Sequence, residues 1–193
     1  RVLDALATLG FDYPKRSAFF LGQLEQFLLL VREQGFDPMN LKGSYAGAMG
    51  FGQFIPSSYR HYAIDFDDDG VVDILSNPVD AIGSVANYFA KHGWRQDQAV
   101  AVPAVMLRAA PREWLNDGLK PERSIRDLRE AGFAPRDPLD YDGPANVMRF
   151  RFEDSDAIWL GLHNFYVITR YNHSRLYGMA VYQLSEQLKD GML

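Results

Sequence analysis

Asp65-Phe66-Asp67-Asp68-Asp69-Gly70 sets carboxylates at alternate positions and ends them on a glycine. That pattern is the first half of an EF-hand calcium loop. Calcium takes about six to eight oxygen ligands, and aspartates at loop positions 1, 3 and 5 aim several inward at once. Gly70, at position 6, lacks a Cβ and permits the sharp turn. Asp73, at position 9, can bind directly or through water. Position 12 is Ser76, where such a loop carries a bidentate Glu, and the next usable carboxylate is Asp80. Crowding Asp65, Asp67, Asp68 and Asp69 without a cation is repulsive. A solvated acidic turn is the plain alternative. The expectation is a Ca2+ site built on Asp65, Asp67 and Asp69, with Asp73 and Asp80 as further carboxylates and an atypical closing ligand.

Upstream lies a segment rich in Gly and Ala, residues 43–59, where small side chains let backbone or ligand come close. Pro56-Ser57-Ser58-Tyr59 suggests a helix start. Downstream, Asn77 suits an N-cap, Pro78 the first helical position, and Asp80 the positive end of the helix dipole. That helix is expected to reach Lys91 and stop near Gly93. Further out, residues 2–9 carry Val2, Leu3, Leu6 and Leu9 at helical spacing, and Tyr13-Pro14 ends the run. Residues 16–34 give a second helix, with Phe19, Phe20, Leu24, Phe27, Leu28 and Val31 on one side and Gly35 as its C-cap.

After Trp94 the character changes. Residues 99–107 are β-prone, and residues 121–132 read as a short helix with Ser124 as cap. Met148, Phe150 and Phe152 alternate with Arg149 and Arg151, a half-buried strand pattern. Residues 159–168 read as a second strand or an extended loop, and residues 175–188 as a closing amphipathic helix.

Composition narrows the function classes. The 193 residues are 47% hydrophobic and 13% aromatic, enough for a sizeable core and against disorder. The formal charge of -5, with no basic run, argues against nucleic acid as a partner. No apolar run approaches the roughly 18 residues of a membrane span. There is no cysteine, hence no disulfide and no thiolate chemistry. His61, His92, His163 and His173 show no metal-ligand spacing. The glycines from Gly47 to Gly52 match no phosphate-loop pattern, and no nucleophile elbow occurs. Ser44, Gln53, Tyr88, Tyr171, Asn172 and Tyr177 offer the hydroxyls, amides and aromatic faces that a sugar cleft needs. By type alone each is equally a structural residue whose polar group is satisfied within the fold.

Taken together, these segments resemble the lytic transglycosylase B family, glycoside hydrolase family 103. The resemblance is carried by Arg1-Val2-Leu3-Asp4-Ala5-Leu6-Ala7-Thr8-Leu9, Gly22-Gln23-Leu24-Glu25-Gln26-Phe27-Leu28-Leu29, residues 43–59, the acidic loop, residues 78–89 and Thr169-Arg170-Tyr171-Asn172-His173-Ser174. It implies a mainly α (α+β) lysozyme-like catalytic domain with an EF-hand-like calcium loop and a small β-containing subdomain. Residues 1–95 would form the helical core, 96–158 the subdomain, and 159–193 the return to the core.

The implied reaction cuts the β-1,4 bond between N-acetylmuramic acid and N-acetylglucosamine without water, leaving a 1,6-anhydromuramic end. One Glu serves first as acid and then as base, which departs from the two-carboxylate scheme of most glycosidases. Such a Glu needs an apolar pocket to raise its pKa. In the family it lies in a Glu-Thr-x-aromatic-Gly segment shortly before the run that here begins at Arg1. The resemblance therefore assigns no catalytic residue within this chain, and neither Glu25 nor Glu33 takes that role.

The chain reads as a fragment or processed product of a longer parent, inactive by itself. The alternatives are a truncated peptidoglycan-binding module without catalysis and a calcium-stabilised structural domain. By resemblance, Ser44 and Gln53 lie beside the reacting sugar, Tyr88, Tyr171 and Tyr177 line the groove, and Asn172 meets the reacting region. Lys15 and Arg16 match a basic pair that would meet peptide carboxylates, and the calcium ligands are Asp65, Asp67, Asp69, the Val71 carbonyl and Asp80. Expected partners are peptidoglycan strands and cell-wall synthesis enzymes. The expected location is the periplasm, with membrane contact only through a lipid anchor outside this chain.

Overall fold

A computed structural model describes residues 1–153 and 155–191. The chain divides into two compact units, Arg1–Lys91 and His92–Leu193.

The first unit is helical. Helix α1 (Val2–Phe11) stops before Pro14, which opens a short 3-10 turn, Pro14–Arg16. Helix α2 (Ser17–Gln34) ends on Gly35, whose φ of 67° is the left-handed conformation that a C-cap needs and that glycine adopts freely. Helix α3 (Pro56–Tyr62) and helix α4 (Pro78–Lys91) both start on proline, where the missing N–H is no loss. Asn77 caps α4, its Oδ1 accepting from the N–H of Val79 at 2.9 Å.

The buried stripe of α2 is Phe20, Gln23, Phe27 and Leu30. The side suggested by the sequence holds Phe20 and Phe27, but Phe19 and Leu28, assigned to it as well, are exposed. Helix α2 is apolar nearly all round, so the pattern does not choose a face. Packing chooses it, and the α3 start settles it by donating the Ser57 N–H to the buried amide of Gln23 at 3.1 Å. Val2, Leu6, Met49, Phe54, Tyr59, Ile74, Ala81 and Tyr88 are the other buried apolar residues described in this unit.

The second unit is built on an antiparallel sheet of order β2-β4-β5-β1-β3: β1 (Ala101–Met106), β2 (Arg123–Ser124), β3 (Phe133–Pro135), β4 (Pro144–Arg151) and β5 (Asp156–Gly161). Its strands β4 and β5 pair from Asn146↔Gly161 to Arg151↔Asp156. Helix α5 (Ile125–Ala131) is capped by Ser124, as its sequence suggested, and brings Leu128 to one face with Ala145, Val147 and Leu160. Helices α6 (His163–Tyr171) and α7 (Arg175–Lys189) bring Phe165 and Met179 to Met148 and Phe150. Both faces of β4 are therefore covered, so Ala145 to Met148 are buried without alternation. Residues 159–168 are not one strand: β5 ends at Gly161 and α6 starts at His163. A Cβ on Gly161 would fall 2.3 Å from Asn146 Oδ1 on β4, so its absence makes room for the buried Asn146 amide where the chain turns from β5 into α6.

Candidate functional site

Two neighbouring loops of the first unit gather most of the candidate residues. The glycine-rich loop is folded on its own backbone. Ser44 donates its N–H to the Ala48 carbonyl at 2.8 Å, and its Oγ accepts from the N–H groups of Ala46 and Ala48 at 3.2 and 3.1 Å. With those acceptor sites used, the Ser44 hydroxyl retains its proton to donate. Met49 and Phe54 exchange backbone hydrogen bonds at 2.9 and 3.0 Å, closing a tight turn from Gly50 to Gln53. Gln53 stands at φ 49°, a conformation that favours glycine, and its Nε2 donates to the Gly50 carbonyl at 2.9 Å. Strain of about 1 kcal/mol or more at a non-glycine residue persists where surroundings enforce it, commonly at functional loops. In the same loop, Tyr45 is 91% and Phe51 65% exposed. These two aromatics were not singled out from the sequence; their signal was a large ring set among glycines.

The acidic loop is braced from both sides. Asp65 accepts from the N–H groups of Asp69 (3.2 Å) and Gly70 (2.8 Å), and Asp69 accepts from the N–H of Val71 at 2.8 Å. Asp80 is fully buried in the first turn of α4; one oxygen accepts from Phe66 N–H and the other from Asp73 N–H, each at 2.8 Å. One carboxylate thus ties the entering and leaving arms of the loop together. Carboxylate oxygens of Asp65, Asp67 and Asp80 lie within 4.8 Å of one another. Two oxygens bound to one calcium at about 2.3–2.6 Å cannot lie further apart than about 5 Å, so this trio fits the ion. Each Asp80 oxygen still has a lone pair to offer.

Asp73 is engaged differently. It accepts from the N–H groups of Leu75 (2.8 Å) and Ser76 (2.9 Å) and from the Ser76 hydroxyl. Burial pushes its carboxyl up, but these hydrogen bonds outweigh it and hold the group below its ordinary pKa. Asp73 therefore anchors the turn into α4, outside the trio.

The two loops are joined. Phe51 N–H donates to the Ile74 carbonyl at 3.1 Å, and the Tyr59 hydroxyl donates to the Val72 carbonyl at 3.0 Å. Burial pushes the Tyr59 phenol up to about 12, so it stays a donor at any ordinary pH.

Of the other sequence candidates in this unit, Tyr88 is only 9% exposed, with its ring against Phe54 and Tyr62. The Arg16 guanidinium lies over the rings of Phe19 and Phe20 at 4.5 and 5.1 Å, and Lys15 is exposed. In the second unit, Tyr171 closes α6, Asn172 is its exposed C-cap, and Tyr177 stands in the first turn of α7. Burial raises the Tyr177 phenol above its ordinary value.

All seven glutamates are exposed. Glu33 faces Arg60 through two bonds of 2.8 and 2.7 Å, which hold its carboxyl below its ordinary pKa. That is the reverse of a proton donor's environment. Sequence reading also missed a cavity of about 530 Å³ in the second unit, lined by Arg149, Arg151 and Arg175.

A family described as a transglycosylase SLT domain matches residues 1–186. The chain belongs to that family. This SLT domain is 53% identical over 186 residues to the membrane-bound lytic murein transglycosylase B of Escherichia coli K12, covering 96% of this chain and 50% of that protein. It superposes on the soluble lytic transglycosylase SltB1 of Pseudomonas aeruginosa with a TM-score of 0.93 and 49% identity, over 100% of this chain and 64% of that one. For Escherichia coli Slt35 in complex with calcium the values are 0.89, 50%, 99% and 60%. For Pseudomonas aeruginosa SltB3 in complex with NAG-NAM-pentapeptide they are 0.79, 31%, 97% and 50%. The SLT domain thus spans about half to two thirds of the length of these relatives. Its fold is the α+β, lysozyme-like class that the sequence pointed to.

Proposed function

We propose that this SLT domain is the glycan-binding body of a peptidoglycan lytic transglycosylase, which cuts the MurNAc-β-1,4-GlcNAc bond and leaves 1,6-anhydromuramic ends. The observation that carries this reading is the glycine-rich loop. Its backbone spends its own hydrogen bonds to hold Ser44 and a strained Gln53, and the same loop exposes two aromatic rings, Tyr45 and Phe51, the chemistry that sugar hydroxyls and ring faces require. The name of the Escherichia coli relative and the NAG-NAM-pentapeptide complex of SltB3 support the same substrate. Tyr88, Tyr171, Asn172 and Tyr177 are the further sugar contacts, and Lys15 and Arg16 the basic pair. The cell envelope, on its periplasmic side, is where such a substrate lies. Among the described residues no helix is long and apolar enough to cross a membrane.

The proton donor is not one of the seven exposed glutamates. A polypeptide of these 193 residues alone is expected to bind glycan strands and release no anhydromuropeptides, as read by mass spectrometry of digested sacculi. Release of such products, abolished by Glu25→Gln or Glu33→Gln, would overturn this assignment.

Calcium is the loop's ion, held by Asp65, Asp67, Asp69, the Val71 carbonyl and Asp80, with Asp73 shaping the turn. Its role is structural, since the loop braces the glycine-rich segment through Phe51 and Tyr59. The calcium complex of Slt35 supports this. Saturating calcium should raise the melting temperature and chelator lower it. At a hundredfold excess over Kd the gain is about 2.7 kcal/mol. An unchanged melting temperature at millimolar calcium would remove the site.

A further inference from the structure

Three stretches far apart in sequence meet in the second unit: Asn116, the end of β4 at Arg149 and Arg151, and the start of α7 from His173 to Leu176. Strand β2 pairs with Pro144 and Ala145, and beyond them a single bridge from Leu115 to Val147 borders the outer edge of β4, with no further strand there among the described residues. Asn116 covers the first part of that edge. Its N–H donates to the Val147 carbonyl at 2.9 Å, and its side-chain amide accepts from Arg149 N–H at 3.0 Å and donates to the Arg149 carbonyl at 3.2 Å. Past Arg149 the edge opens into the cavity at Arg151.

The groove carries an excess of positive charge. Among the described residues no carboxylate lines it, although Asp156 pairs with Arg149 and stands opposite Arg151 across the strand pair. Arg149 lies 3.8 Å from Asp156, while its buried Nε makes no hydrogen bond. Arg151 and Arg175 make no ion pair among the described residues. The α7 N-terminus adds the positive end of its dipole, and only Tyr177 N–H in that first turn is taken by the Ser174 cap. Arginine forks and helix-start N–H groups both select planar or tetrahedral oxyanions.

We propose that this groove binds the free carboxylate of the peptide carried by a peptidoglycan strand. The proposal rests on the glycan reading above and adds a second point of recognition to it. A peptide is favoured over inorganic phosphate because the open β4 edge offers backbone groups that an extended chain can pair with. The volume of about 530 Å³ suits a short peptide end.

The test is calorimetric titration of the full chain with four probes: a GlcNAc-MurNAc oligosaccharide bearing pentapeptide stems, the same with amidated stems, the same without stems, and the free pentapeptide. The free-carboxylate form is expected to bind roughly ten- to hundredfold tighter than the amidated form. Arg151→Ala/Arg175→Ala should erase that preference and leave the affinity for the stem-less glycan unchanged. Its melting temperature should match that of the native chain within about 2 °C, because neither arginine makes an ion pair among the described residues. Equal binding of the three oligosaccharides, or a preference that survives in the double variant, would overturn the proposal while leaving the glycan reading intact. Binding of the free pentapeptide with no binding of any stem-less glycan would keep the groove and sink the glycan reading. Displacement of the pentapeptide by inorganic phosphate at equal affinity would make the groove a general oxyanion site and overturn the peptide assignment.

Discussion

Asp80→Ala is expected to lower the melting temperature by about 10 °C or more in calcium and to abolish the calcium response. The side chain is fully buried, and its two oxygens hold the N–H groups of Phe66 and Asp73, on the two arms of the acidic loop. Hydrogen bonds to a charged group are worth about 1.5–3 kcal/mol each, and truncation leaves both donors without a partner. One effect works the other way: removing Asp80 relieves repulsion with Asp65 and Asp67, whose oxygens lie within 4.8 Å. Asp80 is fully buried, so at an effective dielectric near 20 each such pair costs up to about 3 kcal/mol, and in chelator this relief offsets much of the lost hydrogen bonding. In calcium the ion neutralises that repulsion, so the lost hydrogen bonds and the lost ligand act together. Asp73→Ala is the informative comparison. It should destabilise through the Leu75–Ser76 turn yet keep a calcium response, since its carboxylate lies outside the trio. Thermal melts of both variants, with calcium and with chelator, decide this. An Asp80→Ala protein within 2 °C (roughly 1 kcal/mol) of the native chain in calcium would show that the brace carries no weight.

How much of this could be read beforehand depends on where each signal is stored. Local signals were legible: the Asn77-Pro78 helix start, the Ser124 cap and the Gly35 stop each act within one turn of chain. The acidic loop was legible because its geometry is written in consecutive residues. Asp80 was named as a carboxylate of that loop, but its tie between the two arms exists only after α4 has folded back. Helix α6 was misread because Phe165, Tyr166, Val167 and Ile168 are aromatic or β-branched, a strand-like composition. Tertiary contacts override it. Asn164, buried in α6, accepts from Arg95 N–H at 2.9 Å and donates to the Arg95 and Gln98 carbonyls at 2.7 and 3.0 Å, satisfying a loop nearly seventy residues earlier. The arginine groove was illegible for the same reason, being assembled from residues near 116, 150 and 175. A lone arginine in a strand pattern reads as a solvated face. Only the missing partner strand along β4 turns three of them into a site.

Gly50→Ala is expected to cost about 3 kcal/mol or more and to weaken glycan binding and calcium response together. Gly50 has φ 68°, which an L-residue adopts at a cost of about 1–2 kcal/mol. A Cβ there would also lie 2.3 Å from the Ile74 carbonyl oxygen and 2.9 Å from its carbon. The obstacle is backbone of a residue only 1% exposed, so no side-chain rotation relieves it. The Ile74 carbonyl must move, and it is the acceptor for Phe51 N–H. The same shift disturbs the Gly50 carbonyl, which holds the strained Gln53 through two hydrogen bonds. One added methyl thus strikes the joint between the sugar-facing loop and the calcium-type loop. Gly22→Ala is the control: it sits inside α2 with nothing within 4 Å of the new Cβ, so helix propensity should make it stabilising by up to about 1 kcal/mol. If the two loops act independently, Gly50→Ala will lose glycan affinity and keep the calcium-induced rise in melting temperature. Loss of both is the outcome that the Phe51–Ile74 hydrogen bond demands.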